Sequence, residues 1–192
     1  MTLVSVGELR SRLGIQDSDD DYLLSAAVSA ASSRVQAFCG RAFASYTGVR
    51  NFVIPNGRMT HLVDLPDLAT ATGLVVVDNG TTIDPTGYQL EPIDQVGHDD
   101  SKGGWPYTTI RRILTIWTPS WAGRPTLAIT GTWGWPAIPE PVKAATLQMA
   151  ADIYRQKDAV FAGVGHAPSA GIQLDDLSIS LLRPYQRQWG FA

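Results

Sequence analysis

The sequence is poor in charge and in cysteine. Only 17% of its 192 residues are charged, with a formal net charge of −3, whereas an average domain is about 25% charged. The single cysteine, Cys39, excludes a disulfide within one chain and fits a reducing compartment. A chain of this length can build a hydrophobic core without such a bond. Low charge combined with six tryptophans leaves apolar surface that needs covering, which predicts an oligomer.

Long apolar runs and basic patches are also missing. No apolar run approaches the about 20 residues of a membrane span, and residues 1–7 do not read as a leader, so we expect neither a membrane protein nor a secreted one. The segment 51–140 holds nine acids and five bases. Direct recognition of nucleic acid is therefore not expected, because binding to phosphate needs clustered positive charge.

Recognisable catalytic and ligand-binding motifs are absent as well. There is no glycine-rich nucleotide loop and no Gly-x-Ser-x-Gly elbow, and no two histidines have the i, i+4 spacing of a helical metal pair. The acidic run 17–21 resembles the start of a calcium loop, but Tyr22 and Val28 occupy the positions of its glycine and its bidentate acid. We predict no enzyme, no cofactor and no metal. The catalytic alternative is a site assembled between subunits, joining His61 or His98 to carboxylates.

Helical patterns lie towards both ends of the chain. A capping box formed by Ser5 and Glu8 predicts a short first helix. Apolar residues at spacings of three and four predict a long helix over 22–39 and another over 138–161. Alternating apolar residues over 172–182 predict an extended tail.

Between the helices the apolar period changes to two, which is typical of strands. Asn79 and Gly80 predict a tight hairpin, because both tolerate the positive φ of a type I′ turn. We therefore predict an α+β fold: a helical bundle, an inserted antiparallel β-rich segment and an extended C-terminal arm. The predicted divisions are N-terminal helices within residues 1–45, the β-rich segment 46–136, the core helix 137–163 and the docking arm 164–192.

Five tryptophans fall within 105–135, and Cys39 ends the second predicted helix. The tryptophans fit either a stacking surface for sugar or peptide, or packing in the sheet core and at subunit contacts. We favour packing, because acidic and amide residues are not regularly interleaved with them. The helix dipole disfavours a thiolate at Cys39, which also favours core packing.

Three stretches, in their order along the chain, resemble the phage head–tail connector (adaptor) family of portal-bound ring proteins. The first is a capped helix, an acidic turn and an alanine-rich helix over 4–41. The second is GTWGWP at 131–136 followed by a proline-rich helix start, and the third is LLRPYQR at 181–187. The chain departs from compact members in its long β-rich segment 47–130, which reads as an elaboration.

The resemblance implies a structural virion protein without catalysis or cofactor. Such adaptors form a dodecameric ring beneath the portal protein, extend the DNA channel and carry the stopper and tail proteins. The expected location is the virion neck, after assembly in the host cytoplasm, with genomic DNA passing without sequence-specific binding and with no membrane contact. The alternatives are a neck stopper or tail terminator ring, and a carbohydrate- or peptide-binding virion module that uses the tryptophans.

The resemblance and the charge pattern together suggest two sets of functional residues. For contact with the portal or within the ring, the candidates are Leu182, Arg183, Pro184, Tyr185, Arg187 and Trp189. For a channel wall that does not hold phosphate, the candidates are Asp19, Asp20 and Asp21. The arm that follows Gly163 is expected to gain order on binding.

Overall fold

The structure is a computed structural model that describes residues 2–56, 60–97, 103–161 and 175–187. The chain divides into a helical unit, residues 1–41 and 138–192, and a sheet unit, residues 42–137. The helices are α1 (Val6–Leu13), α2 (Asp21–Cys39), α3 (Glu140–Phe161) and α4 (Asp176–Leu182). The strands are β1 (Tyr46–Phe52), β2 (Leu62–Leu68), β3 (Val75–Asp78), β4 (Thr81–Ile83), β5 (Tyr88–Glu91), β6 (Tyr107–Arg112) and β7 (Leu127–Trp133). The predicted α+β class is confirmed.

The start of α1 is set by the predicted capping box. The Ser5 hydroxyl oxygen accepts from the Glu8 amide at 3.1 Å, and the Glu8 carboxylate accepts from the Ser5 amide at 2.6 Å. Hydrogen bonds from the Ser5 amide and hydroxyl lower the pKa of Glu8. Such a cap stabilises a helix by about 1 kcal/mol. Gly14 ends α1 at φ 72°, a left-handed conformation that glycine adopts without strain.

The core of the helical unit follows the apolar stripe predicted for α2. Leu24, Val28, Ala31 and Val35 are fully buried where α2 packs against α1 and α3. Cys39 is buried too, and burial raises the pKa of its thiol to about 11. The predicted packing role of this cysteine is confirmed.

The tail is not extended where the structure describes it, so that prediction is wrong for residues 175–187. Residues 176–182 form α4, and a 3₁₀ turn follows over 183–185. The Asp175 carboxylate caps α4 by accepting from the Ser178 amide at 3.1 Å. Packing of α4 against α3 buries Leu182 fully. The spacing that matters is therefore i, i+4 between Ser178 and Leu182, both buried, which is the spacing of a helix.

The seven strands of the sheet unit form one antiparallel sheet around β7. On one side β1 pairs with β7 along its whole length, and on the other side β3 and β2 pair with different stretches of it. Strand β6 then joins β2 to β5, and β4 joins β3. Asn79 and Gly80 turn the β3–β4 hairpin with φ values of 47° and 83°, which confirms the predicted hairpin.

Three tryptophans lie in the core of the sheet unit. Trp117 and Trp133 are fully buried in a cluster with the apolar residues of β2, β3, β6 and β7. Trp135 is buried beside Phe43, with ring centroids 5.3 Å apart. Trp121, in contrast, is 72% exposed. Core packing is therefore confirmed for these three rings and does not apply to Trp121.

Candidate interaction surfaces

The three acids proposed for a channel wall have different surroundings. The Arg10 guanidinium Nε lies 2.8 Å from Asp21 Oδ1, and a second contact makes this pair bidentate. The Tyr154 hydroxyl donates to the Asp20 carboxylate. Asp19 is exposed, and its amide donates to Asp17 Oδ1 at 3.3 Å. Asp20 and Asp21 therefore connect α2 to α3 and α1, while Asp17 and Asp19 present negative charge to solvent.

The closing segment 182–187 is hydrogen-bonded to the C-terminal end of α2. The Arg187 amide donates to the Cys39 carbonyl at 2.8 Å, and the Gln186 side-chain amide donates to the Phe38 carbonyl at 3.3 Å. Leu182 is fully buried within the helical unit, Pro184, Tyr185 and Arg187 are half-buried, and Arg183 is exposed. Trp189 lies outside the described residues. The accessible charge of this segment is therefore that of Arg183, together with the exposed portion of Arg187.

The buried tryptophans use their N–H groups internally. The indole nitrogen of Trp117 donates to the His61 carbonyl at 3.0 Å, and that of Trp133 donates to the Gly48 carbonyl at 2.9 Å. Trp135 donates to the Asp67 carboxylate at 3.0 Å. These three rings offer no stacking surface for a sugar, because both their faces and their N–H groups are inside the sheet unit.

The described residues contain no group of three or more histidine, cysteine or acidic side chains that could hold a metal ion. His61 Nδ1 is 2.7 Å from the Thr115 carbonyl oxygen, a bond to backbone rather than to a carboxylate. His98 lies outside the described residues.

An open cleft of about 530 Å³ in the sheet unit has Leu74, Tyr88 and Tyr107 among its lining residues, and Asp94 is its one described carboxylate. The titratable side chains among its lining residues are therefore two tyrosines and a single carboxylate.

The outer side of α2 is lined by small side chains. Tyr22 at its start is 84% exposed. The exposed small residues that follow are Ser25, Ala26, Ser29, Ala30, Ser33 and Ala37. Of the two charged residues of α2, Asp21 and Arg34, only Arg34 is exposed within this surface. No helix in the described stretches of the chain is both long and apolar enough to cross a membrane.

Residues 4–72 match the model of the Phage gp6-like head-tail connector protein family. The resemblance to phage head–tail connectors is confirmed. The matched stretch contains α1, α2, β1 and β2, including the capping box and the acidic turn. A comparison with curated protein sequences finds no match.

Solved structures of gene transfer agent (GTA) particles contain chains with a similar fold. A chain in the neck of an empty GTA particle computed with C6 symmetry is 18% identical, with a TM-score of 0.60, over 98% of this chain and 92% of that one. A chain in the virion of a native GTA particle is 19% identical, with a TM-score of 0.60 and the same coverage. A chain in the neck of a native GTA particle computed with C12 symmetry is 18% identical, with a TM-score of 0.54, over 100% and 96% of the two chains. Such coverage includes the sheet unit, so the β-rich segment is not an elaboration peculiar to this chain.

Proposed function

We propose that this protein is a head-to-tail connector of a phage or phage-like particle, located in the virion neck and devoid of catalytic activity. One joint observation carries the proposal. The family match over residues 4–72 coincides with a fold similarity, over 98% of the chain, to a chain found in a particle neck. The described side chains support a structural role, because the buried carboxylates Asp67 and Asp78 accept hydrogen bonds from an indole N–H and a backbone amide.

The finer assignment is a ring of twelve copies beneath the portal that continues the DNA channel and receives the stopper and tail. One similar neck was computed with C12 symmetry and another with C6 symmetry, and a ring of twelve copies is compatible with both. A closed ring needs two different complementary surfaces on each copy. The small exposed residues of α2 are suited to one of them, because small side chains let a neighbouring element approach closely.

Electron microscopy of the full chain mixed with its cognate portal tests this assignment. We expect a ring of copies coaxial with the portal. The Arg183→Glu variant should bind the portal roughly tenfold more weakly, since an exposed charge at the closing segment is reversed. Arg124→Glu is the matched control, because Arg124 is an exposed arginine of the sheet unit. Rings that bind the tail end and ignore the portal would identify a tail terminator instead.

The proposed channel lining predicts an effect of charge at Asp19. Asp19→Lys should leave the fold and the ring intact, because the Asp19 side chain is exposed and the contacts that join α2 to α1 and α3 use Asp20 and Asp21 instead. A lysine in the channel would attract phosphate and retard DNA passage. We expect the infectious titre of particles carrying Asp19→Lys to fall by roughly tenfold or more. Asp19→Asn, which removes charge without reversing it, should have a smaller effect, and an unchanged titre for both variants would remove Asp19 from the channel.

A further inference from the structure

The edge of β1 that faces away from β7 has no partner strand in the described part of the chain. All seven residues of β1 pair with β7 in continuous register from Tyr46↔Trp133 to Phe52↔Leu127, and no other described strand pairs with its opposite edge. Natural proteins usually guard such edges with lysine, proline or a bulge, since the unpaired backbone groups otherwise recruit another chain. The sequence of β1, YTGVRNF, contains neither lysine nor proline, and its one charged residue, Arg50, lies over the buried Trp133 ring on the inner side of the sheet. An edge of about 24 Å, at 3.4 Å per residue, is therefore open to pairing.

The outward side of β1, β7, β3 and β4 has no charged residue at the paired positions. The residues of this valine–threonine face are Thr47, Val49, Asn51 and Val53 near the edge, then Ala128, Thr130 and Thr132 on β7, Val75 and Val77 on β3, and Thr82 on β4. Val49, at the middle of β1, is 60% exposed. Because 17% of the residues of the chain are charged, about two charges would be expected among these ten positions.

The other half of the sheet provides the contrast within the same unit. The corresponding outward positions of β2, β5 and β6 include Asp64, Glu91 and Arg111. Glu91 and Arg111 form an ion pair at 2.7 Å. Absence of charge is thus a property of the valine–threonine face and not of the whole sheet.

We infer that the valine–threonine face and the adjoining edge of β1 form a contact between neighbouring copies of this chain. The chain has a net charge of −3, and a contact between identical copies is favoured where it places no like charges opposite one another. This face meets that condition, and its Val and Thr side chains can pack without leaving an ion desolvated. DNA and strongly charged protein surfaces do not fit it, because they require opposite charge. The inference rests on the proposed ring and specifies which region of the sheet unit meets the neighbour.

The size of the face predicts how the contact behaves. Its ten residues are about half or less of the 20–30 residues that each side of a standard interface contributes. Copies held by this contact alone should associate weakly. A closed ring adds a second surface per copy, and simultaneous engagement raises the overall affinity.

Matched lysine substitutions test the location of the contact. Val49→Lys and Leu62→Lys each replace an exposed apolar strand residue of the sheet unit, at 60% and 44% exposure, and only Val49 belongs to the face. With the cognate portal present, we expect Val49→Lys to lower the yield of cross-linked neighbouring copies by roughly tenfold. Leu62→Lys should behave like the unsubstituted chain. Both variants should unfold within a few degrees of the unsubstituted chain, because both side chains are exposed and surface substitutions change stability little.

Cysteine protection gives a second readout that does not depend on loss of assembly. Val49→Cys should react with a maleimide roughly tenfold more slowly in the assembly than in the free chain. Leu114→Cys is the control, because Leu114 is fully exposed and lies outside the face. Cys39 contributes little background, since it is buried and its thiol pKa is raised to about 11.

The outcomes separate this inference from the proposed function. Portal-bound rings in which Val49→Lys assembles normally and Val49→Cys stays reactive would overturn the inference and leave the connector function standing. Protection of Val49→Cys in single copies bound to the portal would assign the face to the portal and also overturn it. Self-association that depends on Val49 without any portal binding would support the contact while contradicting the proposed function.

Discussion

Replacing Trp133 by alanine is expected to destabilise the sheet unit by about 3–5 kcal/mol. The ring is fully buried, its indole nitrogen donates to the Gly48 carbonyl at 2.9 Å, and its centroid lies 6.1 Å from that of Phe52. Alanine would leave a cavity and would remove the hydrogen bond to the β1 backbone. The Arg50 guanidinium carbon, 5.2 Å from the ring centroid, would lose its stacking partner as well. Urea unfolding of the full chain, followed by circular dichroism, measures the change.

Trp121→Ala makes the same substitution at a 72% exposed position and serves as the matched control. We expect it to change the free energy of unfolding by no more than about 0.5 kcal/mol. Equal losses for the two variants would contradict the assigned core.

The Trp121→Ala variant also tests the carbohydrate-binding alternative, because Trp121 is the strongly exposed tryptophan of the described sheet unit. Glycan binding that disappears in Trp121→Ala would support that alternative.

Truncation after Gly163 is expected to destabilise the helical unit by about 2–5 kcal/mol or more, the range for loss of a single buried leucine side chain. The truncation removes α4 and with it Leu182, which is fully buried against the rest of the unit. It also removes the Arg187 amide that donates to the Cys39 carbonyl. From the sequence alone, a separate docking arm predicts that the same truncation spares the helices and abolishes portal binding. Thermal unfolding measures the stability, and faster maleimide labelling of Cys39 reports the opening of the core.

Two variants isolate the cause of that loss. Leu182→Ala in the full chain should reproduce about 2–5 kcal/mol of it. A chain that ends at Arg187 keeps α4 and lacks only residues 188–192, so a loss of stability that comes from α4 should be absent from it. Portal binding by this shorter truncation then tests the predicted role of Trp189 without loss of the fold. A Gly163 truncation with full stability and unreactive Cys39 would show that α4 is dispensable to the helical unit.

The elements predicted correctly are those whose signals are local. Ser5 and Glu8 are three residues apart, and Asn79 and Gly80 are adjacent, so their hydrogen bonds and φ values require no distant partner. The stripe along α2 is nearly as local, because any amphipathic helix buries its apolar side. The capping box and the α2 stripe also belong to the first stretch of the resemblance, which lies within the family match over residues 4–72.

The prediction of an extended tail is wrong because two signals compete within a short segment. Alternation over 172–182 favours a strand, whereas Asp175 in front of α4 is a helix cap. The energy of burying Leu182 against α3 decides between them. That burial depends on a helix more than twenty residues earlier in the chain, which periodicity within the tail does not reveal.

The acidic turn 17–21 and GTWGWP at 131–136 show the same limit. Residue type alone makes Asp19, Asp20 and Asp21 equivalent, yet Tyr154 binds Asp20 and Arg10 binds Asp21. The need for glycine at position 134, within GTWGWP, also arises from a contact between residues far apart in the sequence. Gly134 has a φ of 102°, and a Cβ there would lie 2.3 Å from the Ala44 carbonyl oxygen.

The low charge of the sequence has a consequence that composition predicts and a location that only tertiary structure gives. Composition by itself determined that this chain has uncharged surface to cover, and local patterns determined the helix caps, the hairpin and the connector resemblance. Only the tertiary structure decided where that uncharged surface lies, because the pairing of β1 with β7 and of β7 with β3 brings valines and threonines from distant segments onto one face. Caps and turns act within a few residues, whereas burial and strand pairing join residues far apart in sequence. For that reason the elements could be predicted, and the surfaces that they form together could not.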